Sequence, residues 1–483
     1  MKSNKLFFPL SERGFHLLIV LGVFCISRIF YFFAVGVRFD DSPLAYFRQY
    51  IDPALLKHLL AQSLFYLHSQ PPLFNLFLGV ILKLFPHYST VGFYFAYLLI
   101  GLTFSITLFF LMAELGIFPW LNTFLTCLFI VSPLVVQYEN WLFYEYPSAL
   151  ILCLSVLFLC RFAIRNKSID CFVFFLLVAL LIGFRGMFSV YWFLIVILLV
   201  IITFKEHVKR ILLISLLPFI LLLSLYVKNL IVFDSFSIND AVLGQTLSIV
   251  LDFALPKDVF ESLVNNKRIS DVYRIAPYAD DFSLYENHNI HVRKTGIPIL
   301  DQKFKSTGDI NCQNLIYLDV GKNDIKAESY VLRHYPLLVL KWCGLNFINH
   351  YFYPSDMACP FYAFSNHQPL KKITATYKKI FLGEFDHRTF WVLLYGLPLL
   401  HIYGFLVIVR FIRRRERFST GIVVSYIVLT SLYLMFLISF NYGDHSRYRF
   451  LLDPLYLILS GLLLTDVLKM IRIKYLNFKT SRY

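Results

Sequence analysis

Long apolar stretches separated by short polar turns dominate this chain. The runs fall at 14–36, 91–114, 119–137, 147–164, 170–184, 187–204, 210–230, 389–410, 420–440 and 449–468. An α-helix needs roughly 20 apolar residues to cross a hydrocarbon core about 30 Å thick. The alternating segments of about ten residues that mark a membrane β-barrel are not evident. The pattern predicts an all-α polytopic membrane protein built on a bundle of about ten transmembrane helices. A further run, 71–86, is shorter and opens on Pro71 and Pro72. Only 231–388 lacks long apolar runs. A stretch that long is more than a connector, so it is expected to fold as a cap on the membrane part. Within it, 334–354 is aromatic and amphipathic, interrupted by Lys341, Asn346, Asn349 and His350, which predicts an interfacial helix. The expected organisation is therefore a membrane module over 1–230 with a first loop at 37–90, a cap over 231–388, and closing helices over 389–483.

Composition supports this class. The chain is 58% apolar and 16% charged over 483 residues, against about 45–50% and about 25% in soluble domains. The first apolar run is too long for a signal-peptide core and has no small-residue cleavage site, so it is expected to stay as a span. Eight cysteines show no metal-binding spacing. Those inside apolar runs pack as small hydrophobes, and Cys312, Cys343 and Cys359 leave one disulfide open in the polar region. No internal repeat of the transporter kind is evident.

The net charge of +15 has a topological reading rather than a nucleic-acid one, because basic residues mark cytoplasmic loops. The clusters are the N-terminus, Arg161 to Lys167, Lys205 to Arg210, Arg410 to Arg417, and the segment after Lys469. All five share one face only if 71–86 does not cross the membrane. That run is then expected along the outer interface, with both termini cytoplasmic. The loops left on the outer face carry most of the uncompensated acids, histidines and arginines.

Asp40 and Asp41 follow the first span directly, where a partly desolvated carboxylate serves as a general base. Solvated acids at a helix exit explain them equally well. Tyr46 lies at a spacing that brings an amphipathic helix back toward them. His68, Ser69 and Gln70 precede the rigid Pro71-Pro72 turn. Glu139 and Glu145 bracket the turn QYENWLFYEYP (137–147), and charges so near a bilayer face a cavity or a partner. Asp444, His445, Arg447, Tyr448, Arg449 and Asp453 form the densest polar cluster beside any span. Guanidinium forks suit phosphate oxygens, though an Arg–Asp pair fixing the helix end is the plainer reading. Arg28 lies inside the first span, at a depth that strains snorkelling to the outer surface. Arg185 sits at an outer helix end. Gly-rich phosphate loops, HExxH and Gly-x-Ser-x-Gly are missing, which argues against a soluble-nucleotide site.

The acid pair after the first span, the His/Pro-Pro-Leu-Phe stretch and RYRFLLDP (447–454) together resemble the membrane-embedded GT-C glycosyltransferases that use polyprenyl-phosphate sugars. The look is nearest to the protein O-mannosyltransferases and to the bacterial lipid A aminoarabinose and lipopolysaccharide-core transferases. The resemblance follows the order of elements along most of the chain except 231–388. It implies a GT-C-like helical bundle in a bacterial inner membrane rather than the endoplasmic reticulum. It further implies inverting transfer of a hexosyl or pentosyl group to a glycolipid, glycan or protein acceptor. Asp40 matches the first acid of the family's Asp-Glu pair and is the implied base, with Asp41 where Glu is usual. Ser69 and Gln70 separate His68 from the prolines, unlike the family's His-Pro-Pro. Glu145-Tyr-Pro resembles a second acidic motif, with Glu139 an alternative. Arg447 and Arg449, with Arg185 or Arg28, would face the lipid phosphate. No cofactor is required by this scheme, and a divalent metal is left open because some relatives use one. Two other readings compete: a transporter or flippase of lipid-linked sugars, and a non-catalytic membrane scaffold.

Overall fold

A computed structural model describes residues 10–239, 255–276, 279–288, 290, 294–351, 353–355, 363–384, 390–414, 417–440 and 445–480. Among these residues all regular elements are helical, and the β-type pairings are isolated bridges. Among the described residues seven helices are long and apolar enough to cross a bilayer, so the architecture is that of a multi-pass helical membrane protein.

The N-terminal half runs through α1 (Leu10–Ile29), α2 (Pro72–Leu84), α3 (Ser89–Glu114), α4 (Pro119–Val131), α5 (Pro133–Glu139), α6 (Glu145–Arg165), α7 (Ser168–Phe184), α8 (Val190–Thr203) and α9 (Val208–Phe233). The rest holds α10 (Leu315–His334), α11 (Pro336–Asn349), α12 (Gln368–Tyr377), α13 (Trp391–Arg414), α14 (Phe418–Ser439), α15 (His445–Phe450) and α16 (Asp453–Thr480). Proline opens α2, α4, α5 and α11, where its missing N–H costs no helical hydrogen bond. A wide π-turn, Phe30–Val35, extends α1 and stops at Gly36, whose φ of +84° suits only glycine readily.

The expected span over 119–137 is not one straight helix. It breaks at Ser132-Pro133 into α4 and α5, bent by 57°. Proline removes the backbone donor there and its ring clashes with the preceding turn. Counting that pair as one gives eight spans where the apolar pattern predicts about ten. The difference lies in α7 and α8, with 17 and 14 residues, or roughly 26 and 21 Å at 1.5 Å per residue. Helix α2 has 13 residues and reaches roughly 20 Å.

Helices α6 and α14 form the centre, each two-thirds buried, while α1, α9 and α13 turn most of their surface outward. Apolar faces alone give no preference for protein over lipid, so polar contacts and close packing hold such helices together. Ser155 meets Tyr426 at 3.2 Å, and Ser431 bridges His401 at 2.9 Å and Tyr456 at 2.7 Å.

The bundle has two ends, one carrying the basic clusters of the short loops and the other carrying Asp40 and Asp41. At the basic end His16 meets Thr123 at 2.9 Å and Lys469 lies over Phe118. Arg161 and Arg165 pair with Glu114 there, and Arg417 with Asp466. At the opposite end the hydroxyl of Thr90, in the first turn of α3, donates to Asp41 at 2.6 Å. The exit of the first span and the entry to α3 therefore share one end, and α2 lies between them in sequence.

The 231–388 region reaches back to the first loop through the turn 303–314. Lys305 donates to the carbonyl of Phe47 at 2.6 Å, and Ser306 donates to Asp52 through its backbone at 2.8 Å and its hydroxyl at 2.5 Å. Burial pulls the Lys305 ammonium down to about 8. Helix α11 packs Val339, Cys343 and Asn346 inward and leaves Leu337 and Leu340 exposed, an apolar outer face of the kind an interfacial helix presents. Cys312 and Cys343 are free thiols, and Cys359 lies outside the described residues.

Candidate functional site

The Asp40 end is assembled around the turn between α5 and α6. Asp40 forms a parallel bridge with Trp141. Its N–H donates to the carbonyl of Asn140 at 2.8 Å, and its carbonyl accepts from Leu142 at 2.9 Å. This fixes the backbone of the first loop against the 137–147 turn. The Asp40 carboxylate, half-buried, accepts from the N–H of Ser42 at 3.0 Å. An Asx turn of this kind orients the side chain. Asp41 is held by Thr90. Tyr46 ends a four-residue helix and remains 46% exposed, its ring beside Phe47 rather than returned across a longer helix toward the acids.

Below this rim lie two buried acid stations. Glu139 receives both forks of Arg28, at 2.8 and 2.5 Å, and the Tyr146 hydroxyl at 2.6 Å. Arg28 also donates to Ser27 and to the carbonyl of Ile130. Its depth in the first span is thus answered by a carboxylate on the bent helix pair. Gly101 makes room for it: a Cβ there would sit 2.4 Å from Glu139 Oε2. At the second station Glu145 pairs with Arg185 at 2.5 Å and with Arg447 at 3.2 Å. Both guanidiniums lie over the Tyr448 ring, at 5.1 and 5.0 Å, and Arg447 donates to its hydroxyl at 3.1 Å. Among the described residues this is a carboxylate on which two buried arginines converge. An aromatic floor of Trp141, Phe143 and Tyr144 stacks beside it.

Arg449 stands apart from Arg447. It pairs with Asp453 at 3.3 Å and donates to the carbonyls of His350 and Tyr353. The helix-end role weighed for the RYRFLLDP string describes its geometry. Asp444 lies outside the described residues, as does the side chain of His445.

His68 is buried away from Asp40 and Asp41. Its Nε2 meets the carbonyl of Gln313 at 2.9 Å, and Ser69 donates to the Gln313 side chain. Gln70 is half-buried beside them. The imidazole thus fastens the first loop to the 303–314 turn. Burial pulls its pKa down to about 4, against the opposing pull of the Gln313 carbonyl. Between pH 6.5 and 4 the unfolded chain therefore binds the proton that the docked imidazole refuses. The buried, docked state keeps its full stability above pH 6.5 and loses about 3 kcal/mol as the pH falls toward 4, because burial penalises the protonated ring. Hydrogen exchange of 303–314 is expected to accelerate at pH 4.5 relative to pH 7, and much less so in His68→Asn. Equal acceleration in both proteins would assign the acid response elsewhere.

Sequence reasoning assigned no role to Gly101, Thr90 and Gln313, and quoted Tyr146 only as the middle of Glu145-Tyr-Pro. A glycine inside an apolar helix was the available signal for the first; Thr90 and Gln313 gave none. Among the described residues no group of three or more His, Cys, Asp or Glu side chains is placed to hold a metal ion, so no step is derived through one. The chain matches no known family model, no curated protein and no solved structure.

Proposed function

We propose that the chain is a membrane glycosyltransferase that moves a sugar from a polyprenyl-phosphate donor to a glycolipid, glycan or protein acceptor. The observation that carries this reading is the Asp40–Trp141 bridge, which sets a partly exposed carboxylate against the turn bearing Glu139 and Glu145. Asp40 takes the proton of the acceptor hydroxyl or amine, and that atom bonds to the anomeric carbon with inversion. The bond from the anomeric carbon to the phosphate oxygen breaks, and its electron pair leaves on the lipid phosphate. Arg447 and Arg185 are the cations proposed to respond to that charge, since the two share the single carboxylate of Glu145 and carry one positive charge more than it neutralises, whereas Arg28 and Arg449 are each matched by one acid, Glu139 and Asp453. The resemblance to GT-C enzymes supports the same assignment.

The orientation proposed with it places the basic end in the cytoplasm, both termini included, and the Asp40 end outside a bacterial inner membrane. Counting α7 and α8 as crossings gives about ten spans. On this topology α2 lies at the outer interface, and a cysteine at the exposed His87 is labelled by an impermeant maleimide from the Asp40 side. Labelling from the basic side would reverse the topology. Mass spectrometry of the purified protein is expected to find a co-purifying polyprenyl-phosphate sugar; consistent recovery without any such lipid would count against the donor class.

The 57° break between α4 and α5 favours a second reading, because discontinuous helices are a habit of transporters. A flippase would move an intact lipid-linked sugar between leaflets and leave its sugar–phosphate bond unbroken.

A further inference from the structure

Helix α12 and the π-turn that extends it, Lys378–Leu382, carry four lysines in two adjacent pairs seven residues apart. Seven residues make nearly two turns, so Lys371 stacks on Lys378 and Lys372 on Lys379. Leu370 and Thr374 form the buried stripe, and Gln137 of α5 donates to Thr374 at 3.3 Å. Lys371, Lys372 and Lys379 are exposed, and none has a carboxylate partner among the described residues.

Several features set this segment at the membrane surface on the Asp40 side. Its capping residue His367 approaches Gly36, at the exit of the first span. It leads through Gly383 into α13, whose first turns present Trp391 and Tyr395, stacked at 5.2 Å and 43% and 62% exposed. Amphipathic aromatics at the start of a span mark the headgroup level. Ile380 and Phe381 are 67% and 40% exposed at the end of the π-turn. Between this segment and the α4–α5 break lies a cavity of about 350 Å³. Lys372 borders its mouth, and Tyr31, Pro133, Ile373, Ile380 and Phe381 contribute its walls.

We propose that this surface binds an anionic glycerophospholipid of the surrounding leaflet, independently of the reaction proposed above. The lysines hold the phosphate-bearing headgroup, and the cavity against the bent helices takes the first part of an acyl chain. Exposed cations over an apolar slot suit a lipid with a negative head, whereas a zwitterionic head offers them no net attraction. The surface is distinct from the Glu145 station and uses none of its residues.

The test is native mass spectrometry of the full-length purified chain titrated with dioleoylphosphatidylglycerol or dioleoylphosphatidylcholine. Wild type is expected to retain phosphatidylglycerol over phosphatidylcholine, and K371Q/K372Q/K379Q to lose that preference by about tenfold or more. The three positions are exposed, and a K371R/K372R/K379R variant that keeps the preference shows that charge, not fold, is read. Equal retention of the two lipids by wild type, or an unchanged preference in the glutamine variant, would overturn the proposal. So would displacement of the lipid by millimolar inorganic phosphate, which would mean that the site takes a free anion.

Discussion

Replacing Glu145 by alanine is expected to destabilise the protein by about 3–5 kcal/mol, the range for breaking a buried ion pair by removing one partner. The side chain is fully buried, and Arg185 and Arg447 are only 3% and 4% exposed. Both lean on the same carboxylate, at 2.5 and 3.2 Å, and neither has water to turn to. Their positions come from three separate segments, the start of α6, the turn after α7 and helix α15. Loss of the carboxylate therefore loosens the junction of all three. The thermal unfolding midpoint of the detergent-solubilised variant checks this directly. Replacing all three charges together with apolar residues of similar volume is expected to recover much of the midpoint, because apolar packing often matches or exceeds a buried ionic cluster. Activity would not return with it. A Glu145→Ala midpoint equal to that of wild type would show that the arginines are held by other means.

The membrane class, the helical composition and the location of polar turns were legible because they depend on local periodicity. Runs of apolar residues match α3, α6, α9, α13 and α14 to within a few residues, and α1 when its π-turn is included, whereas α16 continues twelve residues past the end of its run at 468. The grouping of basic residues anticipated the two chemically different ends of the bundle. Partner choice was not legible. Arg28 and Glu139 are 111 residues apart, and His68 and Gln313 are 245 apart; no pattern of spacing encodes such pairs. His68 looked like part of a reactive loop because its sequence neighbours are rigid and aromatic, yet the fold spends it on docking. The bend at Pro133 had a local signal, since a proline inside an apolar run interrupts helical hydrogen bonding. It was hidden by the unbroken hydrophobicity on both sides. The lysine pairs of α12 and its π-turn lie in a stretch without long apolar runs, and their seven-residue repeat gains meaning only from the continuous helix that carries it.

Asp40→Asn is expected to reduce sugar transfer by about 10²–10⁴-fold, the range for removal of a positioned general base. The substitution keeps the backbone bridge to Trp141, and the amide oxygen still accepts from Ser42, so the fold has no reason to change. Asp41 does not substitute readily, because its carboxylate is held by the Thr90 hydroxyl. The most direct measurement is transfer by the purified full-length chain in proteoliposomes, using a polyprenyl-phosphate donor labelled in both its sugar and its lipid. Wild type is expected to part the two labels, releasing free polyprenyl phosphate and glycosylating an acceptor, while Asp40→Asn leaves them joined at an unchanged unfolding midpoint. Separation of the labels at the wild-type rate by Asp40→Asn would contradict the account, as would a wild-type protein that carries the donor across the bilayer with both labels still joined.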